Sequence, residues 1–225
     1  MNKRKIRITE DGSTTIELIG KDENFHSTHG AIQESEHIFI QNGLMKKANE
    51  QSSISIFEMG FGTGLNALLS LLFAIKRSIQ VDYLSIEAYP VEKELVEELN
   101  FSEKLNLSDE NDSLFKKLHA MDWNQRLEIQ SNFKFEKKKI KLEELAFSKE
   151  SFDLVYFDAF NPDLQPELWT EEIFRKIYLA MKPKGILMTY SAKGKVKRAL
   201  KAAGFSLNAL PGPIGKREIT QAIKI

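Results

Sequence analysis

Cysteine is absent from the 225 residues, which excludes disulfides, thiolate nucleophiles and cysteine-held metals. Histidine is scarce, with four residues at His26, His29, His37 and His119. His26 and His29 are close enough in sequence to share a metal, but no third histidine or nearby carboxylate pattern accompanies them. Ordinary loop polarity is the better account, and metal-free chemistry is expected. Charge of one sign is also missing: 32 basic side chains face 32 acidic ones, so contact with nucleic acid needs a local patch rather than a global field. No apolar run is long enough to span a bilayer. The start, MNKRKIRITEDG, lacks the apolar stretch of a secretion signal, so a cytoplasmic protein is expected. No internal repeat or low-complexity linker divides the chain, and 42% hydrophobic residues suffice for one well-buried domain.

The segment Glu58 to Lys76, EMGFGTGLNALLSLLFAIK, carries the most information. Ile54 to Phe57 before it is a short apolar strand signal. Leu65, Leu68, Leu69, Leu72 and Ile75 after it recur at helical spacing. Gly60, Gly62 and Gly64 therefore occupy a tight strand-to-helix turn whose backbone N–H groups are free to meet a polar ligand. The spacing is G-x-G-x-G behind an acid, Glu58, and Leu65 stands where a dinucleotide fingerprint needs its third glycine. This form resembles the first motif of class I S-adenosylmethionine-dependent methyltransferases. A second anchor follows: Val81 to Glu87 reads as a buried strand ending in an acid about twenty residues beyond the loop. Glu87 is either a solvated strand end or an acceptor for ribose hydroxyls, and its spacing from the glycines favours the ribose.

Alternation continues down the chain. Phe133 to Glu136 is a weak strand and Phe152 to Asp158 a strong one. Glu171 to Met181 reads as a helix that Pro183 and Gly185 end before a strand at Ile186 to Tyr190. Lys195 to Ala203 reads as a helix stopped by Gly204, and two closing strands, at Phe205 to Leu207 and Ile219 to Ile225, suit an antiparallel edge. The expected fold is α/β: a Rossmann-like, seven-stranded, mostly parallel sheet with helices on both faces. Residues 1–45, with a hairpin turning at Asp11-Gly12-Ser13, form an N-terminal extension packed on a main domain of residues 46–225.

Asp158 ends the strong strand on the edge that holds the glycine loop, which places it beside a donor bound there. In the motif it opens, DAFNPDLQPELWT, Pro162 and Pro166 stiffen the loop, and Trp169 reads equally as core filler or as a base contact. Acids crowd Glu87 to Glu110, whereas Lys193, Lys195, Lys197, Arg198 and Lys201, with Lys216 and Arg217, form a basic run. Such runs are usually solvated helix faces, but this one follows a strand on the ligand-binding edge.

Taken together, GFGTGLN (60–66), SIEAYP (85–90), YFDAFNPDLQPELWT (156–170), TYSAKGKVKRAL (189–200), GKRE (215–218) and SEHIFIQNGL (35–44) resemble the methyltransferase domain of the bacterial tRNA-modifying MnmC family. The resemblance covers nearly the whole chain. It implies S-adenosyl-L-methionine as cofactor and tRNA, at its anticodon region, as partner. The implied reaction is N-methylation of 5-aminomethyl-2-thiouridine at the wobble position, giving 5-methylaminomethyl-2-thiouridine. Glu58, Gly60, Phe61, Gly62, Thr63, Gly64, Asn66, Glu87 and Asp158 would hold the cofactor, with Asp158 also orienting the amine and accepting its proton. Asn161, Tyr190 and Ser191 would line the acceptor pocket, and Lys193, Lys195, Lys197, Arg198, Lys216 and Arg217 would meet anticodon phosphates. Two departures stand out. Lys139-Ile140-Lys141-Leu142 replaces the family's Gly-Asp pair near the adenine. The flavin-dependent oxidase of the two-domain form has no counterpart in these residues, so the aminomethyl substrate is expected from other enzymes. Methylation of a small amine or a protein is the competing enzymatic reading, and a non-catalytic tRNA-binding module the competing reading of another kind.

Overall fold

The computed structural model describes residues 3–225; Met1 and Asn2, where the expected extension begins, lie outside the described residues. Strands β1 (Arg4–Ile8) and β2 (Thr14–Leu18) pair antiparallel. They turn at Asp11-Gly12-Ser13 as expected, where the Asp11 carboxylate accepts from Ser13 N–H at 2.9 Å and Thr9 Oγ1 at 2.7 Å. A two-residue strand, β3 (Glu23–Asn24), adds to β2. Helix α1 (Ala31–Ser35) then runs through a π-helical stretch, Glu36–Leu44, into α2 (Met45–Ala48). Ile38, Phe39, Ile40 and Leu44 from that stretch are buried in the main core, and Phe39 packs on Tyr156 with ring centroids 5.0 Å apart. The extension is thereby joined to the sheet by apolar burial.

The main sheet is built from β4 (Ser53–Met59), β5 (Gln80–Glu87), β6 (Gln125–Gln130), β7 (Phe133–Lys139), β8 (Phe152–Phe157), β9 (Met181–Thr189), β10 (Phe205–Pro211) and β11 (Glu218–Lys224). Its order is β10-β11-β9-β8-β4-β5-β7-β6. The five strands from β9 to β7 are parallel; β11, β10 and β6 run antiparallel to their neighbours. Helices α3 (Leu65–Arg77), α4 (Lys93–Glu97), α5 (Phe101–Lys104), α6 (Asp109–Ala120), α7 (Glu171–Ala180) and α8 (Gly194–Ala202) make the connections. Ser108 and Thr170 cap α6 and α7, each accepting from a backbone N–H at 3.3 Å.

The α/β class and parallel core agree with expectation, but the sheet has eight strands rather than seven. The extra one is β6, QRLEIQ, an edge strand whose first four residues are exposed and whose apolar alternation is confined to Leu127 and Ile129, too short a signal to mark a strand. The start of β9 also differs. Pro183 and Gly185 lie inside that strand rather than ahead of it, because the β8–β9 register jumps from Phe152↔Met181 to Leu154↔Ile186. The bulge absorbs the proline and a left-handed Lys184 with φ of 62°.

The order reverses between β4 and β8. In open α/β sheets, ligands bind in the crevice beyond the carboxyl ends of such a pair.

Candidate active site

A cleft of about 510 Å³ opens at this reversal. Its floor is the glycine loop. Gly60 and Gly64 have φ of 93° and 74°, and a Cβ would lie 2.9 Å from the Asp158 carbonyl at Gly60 and 2.7 Å from His119 Nε2 at Gly64. Both positions need glycine for conformation and for space. Gly60 and Phe61 N–H both reach the Ile86 carbonyl at 3.0 Å, and Gly62 N–H donates to Glu87 Oε2 at 3.1 Å. Glu87 thus ties strand β5 to the loop while its other oxygen accepts from Tyr89 N–H at 2.9 Å.

Of the expected donor-side residues, Gly60, Phe61, Gly62, Thr63, Asn66, Glu87 and Asp158 line the cleft. Gly64 sits behind them as the residue preceding α3. Glu58 is a correction: it is fully buried beneath the loop, where its Oε2 accepts from Ser85 Oγ at 2.5 Å, and its side chain does not line the cleft. Burial, reinforced by the charge of Asp158, pushes its carboxyl up to about 8, so it is neutral at pH 7.

Asp158 follows β8 directly. Asn66 Nδ2 on α3 donates to its Oδ2 at 2.9 Å. Burial raises its carboxyl to about 7, aided by the charge of Glu34 and opposed by Asn66 and Lys216. A carboxyl poised there exchanges protons readily at neutral pH. Asn66 Oδ1, by contrast, is buried and has no partner. The glycine cradle beside the cleft-lining carboxylates of Glu87 and Asp158 suits a ligand that carries hydroxyls and an ammonium, as S-adenosylmethionine does.

The loop after Asp158 is held rigidly. Trp169 Nε1 and Tyr190 Oη donate to the Phe160 and Ala159 carbonyls, each at 2.9 Å. Trp169 is buried against Phe157, which resolves its two readings in favour of the core. Asn161 and Tyr190, expected at an acceptor pocket, line the cleft; Ser191 is buried away from it, its carbonyl accepting from Thr220 Oγ1 at 2.8 Å.

Several lining residues escaped the sequence reading: the extension supplies Glu23, Phe25, His26 and Glu34, and Glu143 follows Lys141 and Leu142, which also line the cleft and belong to the stretch expected near the adenine. Phe25 meets Phe160 edge-on at 5.0 Å, closing the cleft between extension and loop. His26 Nε2 lies 2.7 Å from Thr63 Oγ1, and burial lowers its imidazole to about 4. His29 instead pairs with Glu10 at 2.9 Å, so the two histidines take separate partners. Lys176 Nζ fixes the stretch after β7 by donating to the carbonyls of Leu142 and Glu143 at 2.9 and 2.8 Å.

The basic run divides. Lys193 Nζ meets Asn161 Oδ1 at 2.9 Å and also pairs with Asp163, to which Lys195 donates at 2.5 Å. Lys197 pairs with Glu218 at 2.5 Å. Lys216 turns into the cleft, where it pairs with Glu34 and stands 4.6 Å from the Tyr190 ring centroid. Arg198, Lys201 and Arg217 are exposed.

Comparison with known proteins bears directly on this cleft. The MnmC proteins of Cupriavidus metallidurans and Campylobacter hominis, named as tRNA 5-methylaminomethyl-2-thiouridine biosynthesis bifunctional proteins, are 29% and 30% identical over 217 and 206 residues. The alignments cover 89% and 88% of this chain but 31% and 29% of those proteins, so the chain spans about a third of their length. MNMC2 from Aquifex aeolicus shares the fold with a TM-score of 0.80 at 24% identity, over 99% of this chain and 70% of its own. Spermidine synthase from Thermotoga maritima shares it with a TM-score of 0.58 at 15% identity, over 100% of this chain and 70% of its own. A family model described as S-adenosyl-L-methionine-dependent methyltransferase matches residues 109–225, the stretch that carries Asp158, Asn161 and Tyr190. The chain therefore belongs to the S-adenosyl-L-methionine-dependent methyltransferases.

Proposed function

We propose that this methyltransferase acts on the amine of 5-aminomethyl-2-thiouridine at the tRNA wobble position, giving 5-methylaminomethyl-2-thiouridine. One observation carries the reading: Asp158, a carboxyl titrating at about 7, lies between the glycine cradle and an acceptor pocket rich in carboxylates. An alkylamine is protonated in water and attacks only when neutral, so a group that takes its proton at neutral pH is what the reaction needs. The relatives named for 5-methylaminomethyl-2-thiouridine biosynthesis, aligned over nearly nine-tenths of this chain, supply the nucleoside.

The backbone of Gly60 to Thr63, the Asn66 amide and Glu87 would hold the cofactor, with Lys141 to Glu143 bordering its base. When bound, the cofactor supplies a methyl group on a cationic sulfur. Asp158 accepts a proton from the incoming ammonium and directs the freed lone pair toward the donor side of the cleft. Phe25 and Phe160 exclude water from the path between the two halves. The methylated amine then leaves as a cation.

Arg198, Arg217 and the lysines at 193, 195 and 197 would meet backbone phosphates near the anticodon. The lysines exchange their present carboxylates for phosphate on binding. A tRNA acceptor implies action in the cytoplasm, downstream of the enzymes that install the aminomethyl group. The pairing of these lysines with Asp163 and Glu218 favours one alternative, a small-amine acceptor that needs no phosphate contacts.

Incubation with radiolabelled S-adenosylmethionine and under-modified tRNA, followed by nucleoside analysis, decides between them. Label in 5-methylaminomethyl-2-thiouridine is expected. Label on small amines or protein but not on tRNA rejects the proposal.

A further inference from the structure

The acceptor end of the cleft holds a second carboxylate that neither the motifs nor the sheet topology announces. Glu34 sits on α1, and its side chain is only 9% exposed. Its Oε2 accepts from the Ser27 backbone N–H at 2.7 Å, and its Oε1 pairs with Lys216. It lines the same cavity as Asp158 and Tyr190, and it is close enough for its charge to raise the Asp158 carboxyl. The ammonium that answers it belongs to Lys216 in the loop before β11, whose side chain is 29% exposed, and it rests on the face of Tyr190.

Shape and charge here describe a site for a primary ammonium that is at present filled by one. Glu34 is anchored by a backbone donor on one oxygen, so its other oxygen keeps a fixed position. Lys216 has a flexible four-carbon stem and a partly open path to solvent. Tyr190 adds an aromatic face of the kind that attracts cations. A substrate ammonium entering this pocket finds a carboxylate and a ring already arranged around an alkylammonium group.

We propose that Glu34 and the Tyr190 ring form the recognition site for the substrate amine, with Lys216 acting as an internal stand-in that the substrate ammonium displaces. The inference deepens the proposed function and rests on it. Glu34 holds the cation by an ion pair while Asp158 takes the proton, so the two carboxylates have separate tasks. Lys216, once displaced, swings toward the exposed side of the loop that carries Arg217, where a phosphate can replace Glu34 as its counter-charge.

The test measures affinity for two tRNAs that differ only in whether the wobble 2-thiouridine carries the aminomethyl group, using wild-type protein, Glu34→Gln and Lys216→Met. Gln retains the acceptor for Ser27 N–H, and thermal unfolding monitors the fold of each variant. The wild type is expected to prefer the aminomethyl form. Glu34→Gln is expected to lose that preference by at least about tenfold, the scale of one charge-assisted contact, without weakening the amine-free tRNA. Lys216→Met is expected to keep or increase the preference, whatever it does to both affinities together. An unchanged preference in Glu34→Gln overturns the proposal. Equal losses of preference in both variants also overturn it, because they identify the pair as a structural tie between extension and hairpin. Failure of the wild type to methylate aminomethyl tRNA, read in a separate transfer assay, rejects the proposed function itself and this inference with it.

Discussion

Asp158 and Glu58 are carboxyls on adjacent strand ends, yet their surroundings give them different work. Asp158 opens onto the cleft and titrates at about 7; Glu58 is sealed below the glycine loop and titrates at about 8. Asp158→Asn keeps the shape and the Asn66 contact but cannot accept a proton. It is expected to lower kcat by about 10² to 10⁴, the usual contribution of general acid–base catalysis, with cofactor affinity measured by calorimetry nearly unchanged. In the wild type the acid limb of kcat/KM should have its midpoint near pH 7, and this limb should disappear in the variant. Glu58 affects stability instead. Its folded pKa lies above the unfolded value of 4.5, so the stability linked to it is complete below pH 4.5 and falls away as pH rises through about 8. Glu58→Gln should remove this loss, raising stability relative to wild type by roughly 2–4 kcal/mol above pH 8, as read from urea midpoints across pH.

Helix α6 shows how an element distant in sequence sustains the loop. Its His119 Nε2 donates to the Thr63 carbonyl at 3.1 Å and occupies the space that a Gly64 side chain would need. Burial, reinforced by nearby Lys137, lowers His119 to about 4, and burial does the same to His26 on the other side of Thr63. Both folded values lie below the unfolded 6.5. The linked stability is therefore complete above pH 6.5 and is lost as pH falls toward 4, by about 3 kcal/mol for each ring. His119→Gln should flatten part of that acid limb in pH-dependent urea melts. At neutral pH it should cost about 1 kcal/mol if the amide does not reproduce the hydrogen bond. Such elements differ in how plainly the residues announce them. The glycine loop is legible because only glycine tolerates its dihedrals and close approaches, and β4, β5 and β8 are legible because both their faces are apolar. Strand β6 is not, since an edge strand with solvent on its outer face lacks that pattern. Glu34 is not either: its burial depends on Lys216, and pairing across such a distance leaves no local periodicity.

At the scale of the molecule, zero net charge conceals a divided surface. Arg198, Lys201 and Arg217 are exposed, whereas Asp163 occupies Lys193 and Lys195. If tRNA binds across this face, Asp163→Asn should strengthen binding at low salt and steepen the dependence of log affinity on log salt. Arg198→Ala should weaken binding of every tRNA alike and reduce that slope by about one. Filter binding between 50 and 200 mM salt measures both. The Glu34–Lys216 contact also joins residues 182 apart in the chain. The glycine cradle and its supports from α6 and β8 are complete by Asp158, but the opposite wall of the cleft waits for the loop that precedes β11, the last strand. During synthesis the donor side can therefore assemble well before the acceptor side. A nascent chain shortened before Lys216 would retain most of the residues that grip the cofactor while lacking the group that first occupies the amine site, so competence to bind and competence to select arise at different moments in the life of the polypeptide.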